Sequence, residues 1–440
     1  MDQRGAPPVK SISVVTLGCK VNQYDTAAIL NRLPKSKYVR VPFPEKADVY
    51  VIDTCTVTHK ADAEARHYIH RARRANPEGV VVVTGCYAQV SADEIKDITD
   101  ADYVIGNSHK FSELLRVIRE GETQSEPKLY ISDIFREKKK GFETPGIEFF
   151  PGRTRAFLKV QDGCNYACTF CIIPRARGRS RSLSIDEILR RMEKLAEAGY
   201  KEIVLTGVHI ASYGRDIGSS FGELVRAIER EKIVRRVRLT SLDPADTEPS
   251  LIEFIAGSET ICPQFHIALQ SGDAGVLKRM RRRYAPDSFL AITNLIRETM
   301  PDAAIGSDIM VGFPGETEEE FVNTYETAGQ SALTYFHVFP YSKRRSTPAA
   351  SMPGQVPPGT IKERSARLRE LGLRKKAEFY GRFIGRTLPV LVEKGGKGTT
   401  PNYIPVRLTG GEHEPGEEIE AVITGISAGE ALASPIRAAS

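Results

Sequence analysis

Apolar positions along residues 11–120 fall in short blocks. "SISVVTLG", "ADVYVIDT", "GVVVVTG" and "ADYVIGN" are apolar at odd and even positions alike, which predicts strands buried on both faces. Polar, helix-like stretches lie between them, among them 23–32 and 59–75. This alternation predicts a doubly wound parallel α/β domain over residues 1–120. Residues 121–153 are richer in Glu, Lys, Gly and Pro and read as a linker.

From Thr154 the alternation resumes. "RAFLKV", "EIVLTG", "VRRVRLTS", "QFHIALQ", "AAIGSDIMVG" and "TYFHVFP" predict six strands, with helices at 184–198, 221–230, 273–282 and 316–329. Six strand–helix units over 154–340 fit a partial, (β/α)6 version of the eight-stranded barrel. Residues 341–386 form a connector whose second half, Ile361 to Arg386, is a predicted helix with nine basic and three acidic residues. In 387–440 the runs "LPVLVEK", "YIPVRLT" and "EEIEAVITGIS" are broken by Gly, Pro and Asn, a pattern that predicts a small antiparallel β-barrel.

At 440 residues the chain is long enough for about two to four domains. The formal charge of +6 fits an anionic partner without requiring one. No stretch approaches the ~18–20 uninterrupted apolar residues of a membrane span, so no membrane association and a cytoplasmic setting are expected. Thiols stay reduced there, and the count of seven cysteines is odd. Clustered cysteines are therefore better read as metal ligands or redox groups than as a disulfide framework.

Cys164, Cys168 and Cys171 lie in "CNYACTFC", a C-x3-C-x2-C spacing at the end of the first barrel strand. Residues 150–190 hold no His and no fourth Cys, so a closed zinc site would need a distant ligand. A [4Fe–4S] cluster on three thiolates keeps one iron open, and an open position lets a metal act on a substrate. Cys19, Cys55 and Cys86 each follow a predicted parallel strand. In an open α/β sheet those ends converge on one crevice, so the fold would gather a second set of three thiols. Cys262 has no companion and reads as a core residue.

The C-x3-C-x2-C pattern resembles that of radical S-adenosylmethionine enzymes. The resemblance implies a cluster on Cys164, Cys168 and Cys171 whose open iron holds S-adenosylmethionine. Phe170, Thr206, Gly207, Ser241, Asp243, Gln270 and Asp308 would complete the cofactor site. Two cysteine triplets together, with "GCKVN", "DTCTV", "TGCYAQ", "GCNYACTFCIIPRARGRSRS", "LQSGD" and "DIMVGFPGET", resemble the methylthiotransferase family, and the tail resembles its RNA-binding TRAM module. That resemblance implies two [4Fe–4S] clusters with S-adenosylmethionine, an external electron donor and a sulfur source. The core cluster would reduce S-adenosylmethionine to a 5′-deoxyadenosyl radical. The Cys19/Cys55/Cys86 cluster would carry the sulfur that is methylated and inserted into an unactivated C–H bond.

"TLGCKVNQYDT", "GVHIASYG" and "ARGRSRS" most resemble the branch acting on C2 of N6-threonylcarbamoyladenosine beside the anticodon. Isopentenyladenosine tRNA, a ribosomal-protein aspartate, or a radical enzyme with an electron-relay cluster are the alternatives. A non-enzymatic metal-containing RNA-binding protein is a third class. A threonylcarbamoyl carboxylate suits guanidinium groups, and Arg175, Arg177, Arg179, Arg181, Arg281, Arg282 and Arg283 are the candidates. The basic helix and tail are the expected grip on the tRNA anticodon stem-loop; Tyr380, Phe383 and Tyr403 could stack on bases there, although aromatic residues in such positions are more often core. The eight histidines form no ligand-spaced cluster in sequence; His209 and His266, at barrel strand ends, are the two to test. "GFPGETEEEF" lacks the G-K-[S/T] of a P-loop and reads as a turn into a capped helix.

Overall fold

Six parallel strands build the first sheet: β1 (Lys10–Thr16), β2 (Tyr38–Arg40), β3 (Val49–Thr54), β4 (Val80–Gly85), β5 (Tyr103–Gly106) and β6 (Lys128–Tyr130). Their order is β2-β1-β3-β4-β5-β6. β3, β4 and β5 are buried at every position, as their unbroken apolar runs require. The chain leaves β1 for β2 on one side and returns to β3 on the other, which makes a switch point between the carboxyl ends of β1 and β3. This structure is a computed structural model describing residues 9–98, 100–136, 142, 144–150 and 152–436.

The predicted linker needs correction. Lys128–Tyr130 pairs in parallel with β5, so the sheet extends beyond residue 120. Further on, the segment is tied down rather than free. The Tyr24 hydroxyl donates to the Pro145 carbonyl at 2.8 Å, and the Phe150 amide donates to the Tyr200 hydroxyl at 2.6 Å. Residues 137–141, 143 and 151 of the linker, and the first eight and last four residues of the chain, lie outside the described residues.

The second unit starts with β7 (Ala156–Lys159) and a short hairpin, β8 (Gln161–Asp162) with β9 (Arg181–Ser182). It continues through β10 (Glu202–Thr206), β11 (Arg236–Arg238), β12 (Gln264–His266), β13 (Ala304–Val311) and β14 (Tyr335–Pro340). Parallel sheets β7-β10-β11 and β12-β13-β14 are joined by parallel bridges Val237–Ile261 and Leu242–Ile267. The result is one arc of six strands in sequence order, the predicted partial barrel. Ile203, Leu205, Val237, Phe265, Ile305 and Ile309 form the main core with Ile188, Leu224, Phe289 and Phe321 of the surrounding helices. The alternate residues, among them Glu202, Arg238, His266 and Asp308, therefore line the lumen. "GFPGETEEEF" enters the helix Glu318–Gln330 through a capping box of Thr317 and Glu320.

A closed five-stranded barrel ends the chain: β15 (Thr387–Glu393), β16 (Lys397–Thr399), β17 (Pro405–Leu408), β18 (Glu418–Ser427) and β19 (Glu430–Pro435). It caps the amino-terminal end of the larger barrel. Arg238 pairs with Glu202 at 2.9 Å and donates to the carbonyls of Pro401 and Thr400 at 3.0 and 3.2 Å. Arg155 reaches Glu393 at 2.9 Å, and Arg236 reaches Glu418 at 3.3 Å.

Of the two readings of these aromatic residues the core one holds: Tyr380 and Phe383 are buried in the core of this small barrel, and Tyr403 packs against it beneath Arg238. The helix Pro358–Gly381 also uses much of its charge internally. Arg364 holds Glu316 and Glu318, Arg367 holds Glu318, and Arg386, just beyond, holds Asp302. Among the described residues no helix is long and apolar enough to cross a membrane.

Candidate active site across a domain seam

Local backbone geometry brings the central cysteines together. Gly163 adopts φ +74°, and a β-carbon there would stand 2.1 Å from the Arg179 carbonyl oxygen. Only glycine lets the chain pass that close, and the Cys164 amide then donates to the Gly178 carbonyl at 3.0 Å. The Cys171 amide donates to the Cys168 carbonyl at 3.1 Å, folding the loop so that the three sulfurs come within range of one another's charge. Thr169 anchors the far side through its amide to the Met280 carbonyl at 3.1 Å and its hydroxyl to the Arg279 carbonyl at 2.9 Å.

Charge around this loop suits a thiolate site. Burial pushes the Cys171 thiol up to about 12, and the neighbouring Cys168 and Cys164 sulfurs add to the rise. Bare thiols so close would resist joint ionisation, so a cation among them is what makes three thiolates stable. Arg282 donates to the Cys168 sulfur at 3.3 Å and is ion-paired with Asp243. His209 Nδ1 lies 3.9 Å from the Cys164 sulfur and its Nε2 lies 3.1 Å from Asp246. Burial alone would lower the His209 pKa, but Asp246 and the Cys164 sulfur outweigh it and hold it up at about 9. Tyr166 donates to Asp246 at 2.5 Å and carries the exposed Arg283 guanidinium 4.3 Å above its ring.

The other three cysteines lie just past the carboxyl ends of three adjacent strands, β1, β3 and β4. Cys19 caps the helix Lys20–Leu30, Cys55 follows β3, and Cys86 opens a short helix after β4. Gly18, at φ +89°, lies so close to Cys55 that a β-carbon would stand 2.8 Å from its sulfur. Burial raises the Cys55 thiol to about 12, with Cys86 and Cys19 contributing. All six cysteines are free, and within each triplet the sulfurs are near enough to act on one another's charge, with no fourth protein thiol. That donor set fits a [4Fe–4S] cluster on three thiolates at each site.

A buried ionic seam joins the two sites. Arg177 is 2% exposed and reaches Asp162 at 3.0 Å, Asp25 at 3.3 Å and the Asn22 side chain. Lys159 pairs with Asp25, and Lys110 with Asp53 at 2.9 Å. Asn107 donates both to the Cys86 sulfur at 3.5 Å and to the Ala176 carbonyl at 2.8 Å. Burial opposes the Asp25 charge, but Lys159, Lys110 and Arg177 together keep its carboxyl below the usual range. The expectation that Arg177 contacts substrate is therefore corrected, because it locks the first domain onto the barrel. Arg175, Arg179, Arg281 and Arg283 remain exposed, and Arg181 is half-buried over Phe142. Arg175 lines an open crevice of about 970 Å³ with Ile172, next to Cys171, and Gln89, three residues past Cys86.

The expected cofactor residues separate into groups. Gly207 admits the Gln161 side chain, whose oxygen accepts from the His209 amide at 2.9 Å, while Thr206 is buried beside it. Phe170 packs against a satellite cluster with Met280, Phe313 and Ala349. Gln270 adopts φ +60° and donates its amide to the Asp308 carbonyl at 2.8 Å. Asp243 is taken up by Arg282. Ser241 and Asp308 meet through His266, whose Nδ1 is 3.3 Å from the Ser241 hydroxyl and whose Nε2 is 3.4 Å from Asp308. His337 joins them from β14, so two histidines remote in sequence do form a cluster. Burial lowers the His337 pKa; Asp308 opposes this, and His266, Lys20 and Lys376 reinforce it. Gln161, Tyr166 and Asp246 were not singled out from sequence, and the closeness of the first two to Cys164 was the available signal.

This geometry and the sequence match converge on a class. Residues 158–328 match the Radical SAM superfamily and residues 11–106 match Uncharacterized protein family UPF0004. The chain is 40% identical to threonylcarbamoyladenosine tRNA methylthiotransferase MtaB of Aquifex aeolicus (strain VF5), covering 91% of this chain and 97% of that one. Identity is also 40% to the protein of that name from Bacillus subtilis (strain 168), over 94% and 93% of the two chains. A tRNA-2-methylthio-N(6)-dimethylallyladenosine synthase of Acetivibrio thermocellus is 35% identical over 86% of this chain and 79% of its own. The chain belongs to the methylthiotransferase family of radical S-adenosylmethionine proteins. Among solved structures it shares its fold with the radical S-adenosylmethionine methyltransferase TsrM of Kitasatospora setae, at TM-score 0.57 and 14% identity, over 78% of this chain and 77% of that one.

Proposed function

We propose that this protein is a tRNA methylthiotransferase acting at C2 of N6-threonylcarbamoyladenosine next to the anticodon. The single observation that carries the reading is the pair of three-thiol cradles locked across one buried seam, on a chain 40% identical to two proteins of that named activity. Cys164, Cys168 and Cys171 hold one [4Fe–4S] cluster and Cys19, Cys55 and Cys86 the other. When bound, the clusters and S-adenosylmethionine supply the radical and sulfur chemistry that an aromatic C–H bond requires, since it offers no acid–base handle.

The protein's own groups hold and shape that site. Gly163 and Gly18 let the cysteine loops close, and Arg282 offsets the negative charge of the thiolates at the core site. Gly207, Gln270 and Phe170 would help to hold S-adenosylmethionine when it binds. Tyr166 orients Arg283 through ring stacking, and Arg283, Arg281, Arg179 and Arg175 are exposed cations suited to a carboxylate or phosphate. An external reductant and a sulfur source complete the cycle in the cytoplasm. The test is nucleoside analysis of tRNA from cells lacking the protein. Loss of the 2-methylthio group from threonylcarbamoyladenosine alone supports the proposal; loss from isopentenyladenosine, or no loss, contradicts it.

A further inference from the structure

Three neighbouring parallel strands of the arc bring two imidazoles and a carboxylate together. His266 is on β12, Asp308 on β13 and His337 on β14; Asp308 and His337 are directly paired, and His266 aligns with Gly306, one lumen-facing position away. Their ligating atoms all lie within 4.8 Å of one another, and His266 Nε2 to Asp308 is 3.4 Å. A tetrahedral ion with bonds of about 2.0–2.1 Å sets its ligand atoms about 3.4 Å apart, so one pair is already at that spacing. The third ligand, His337, is the exposed member of the group.

We propose that His266, Asp308 and His337 bind a divalent first-row transition ion, of the Zn²⁺ or Fe²⁺ class, separate from both cysteine sites. Two imidazoles and one carboxylate form a donor set suited to those ions, while hard-oxygen cations such as Ca²⁺ and Mg²⁺ want more oxygen ligands. A metal-bound histidine needs its remaining ring nitrogen fixed by a partner, and the Ser241 hydroxyl 3.3 Å from His266 Nδ1 supplies one. Three protein ligands leave a coordination position open. At that position the ion would present a Lewis-acidic corner to an oxygen ligand.

The test uses the full chain with its iron–sulfur content restored anaerobically, passed through chelating resin and then titrated with Zn²⁺. Bound zinc, iron and sulfide are measured on the desalted protein, and zinc-edge X-ray absorption identifies the ligands. The expected result is about one zinc per chain with nitrogen and oxygen ligation. His337→Ala and Asp308→Asn should each weaken zinc binding at least about tenfold while iron and sulfide stay unchanged. Absence of retained zinc, a zinc–sulfur distance near 2.3 Å, or unchanged zinc binding in both variants would overturn the proposal.

Discussion

At the scale of single residues, the cysteine loop depends on backbone freedom as much as on sulfur. A methyl at residue 163 would collide with the Arg179 carbonyl and would also face the strain of φ +74°. Gly163→Ala is therefore expected to lower iron at the core site, from about eight irons per chain towards about four, with the first-domain thiols unaffected. Retention of full iron content would show that the loop has another way to close. Arg283 makes a different prediction, because it is exposed and stacks on Tyr166 without bracing the fold. Arg283→Ala should raise KM for threonylcarbamoyl-bearing tRNA by about five- to tenfold, the size of a roughly 1 kcal/mol contact, with unchanged iron. An equal loss of binding to tRNA lacking the threonylcarbamoyl group would assign Arg283 to the phosphates instead.

At the scale of elements, the seam between the helix Lys20–Leu30 and the barrel is the feature that sequence conceals. The six barrel strands and both cysteine triplets were legible, because apolar blocks and strand-end cysteines are local signals. The partners of Arg177 were not, since "PRARGRSR" reads as one exposed basic run until Asp25, 152 residues earlier, folds against it. The same limit hid β6, whose three residues have no apolar run, and the His266–Asp308–His337 cluster, which exists only through strand pairing. Removing one member of a buried charge network leaves its partners uncompensated, at a cost of about 3–5 kcal/mol. Arg177→Ala should accordingly speed amide hydrogen exchange in residues 20–30 and 173–177, and Arg177→Lys should rescue only part of that protection because it lacks the planar fork. Exchange unchanged in both segments would mean that the seam does not hold the domains together.

For the whole molecule, the small C-terminal barrel is a structural plug as well as an appendage. Arg238 and Arg236 turn to its carbonyls and carboxylates, and its core shares Ala304 with the larger barrel. A chain cut after Arg386 should lose thermal stability and solubility, not merely affinity for RNA; a truncation with full stability and reduced tRNA binding would restore the picture of an independent module. The plug sits at the amino ends of the barrel strands, while Cys164, Cys168 and Cys171 follow the carboxyl end of β7 and Cys19, Cys55 and Cys86 the carboxyl ends of the first-domain strands. The account rests on those triplets each holding a cluster, and the most direct measurement is iron and sulfide per chain after anaerobic reconstitution. The wild type should give about eight of each, and variants lacking either Cys19, Cys55 and Cys86 or Cys164, Cys168 and Cys171 should each give about four. A wild-type value near four, or one triple variant indistinguishable from wild type, would contradict it.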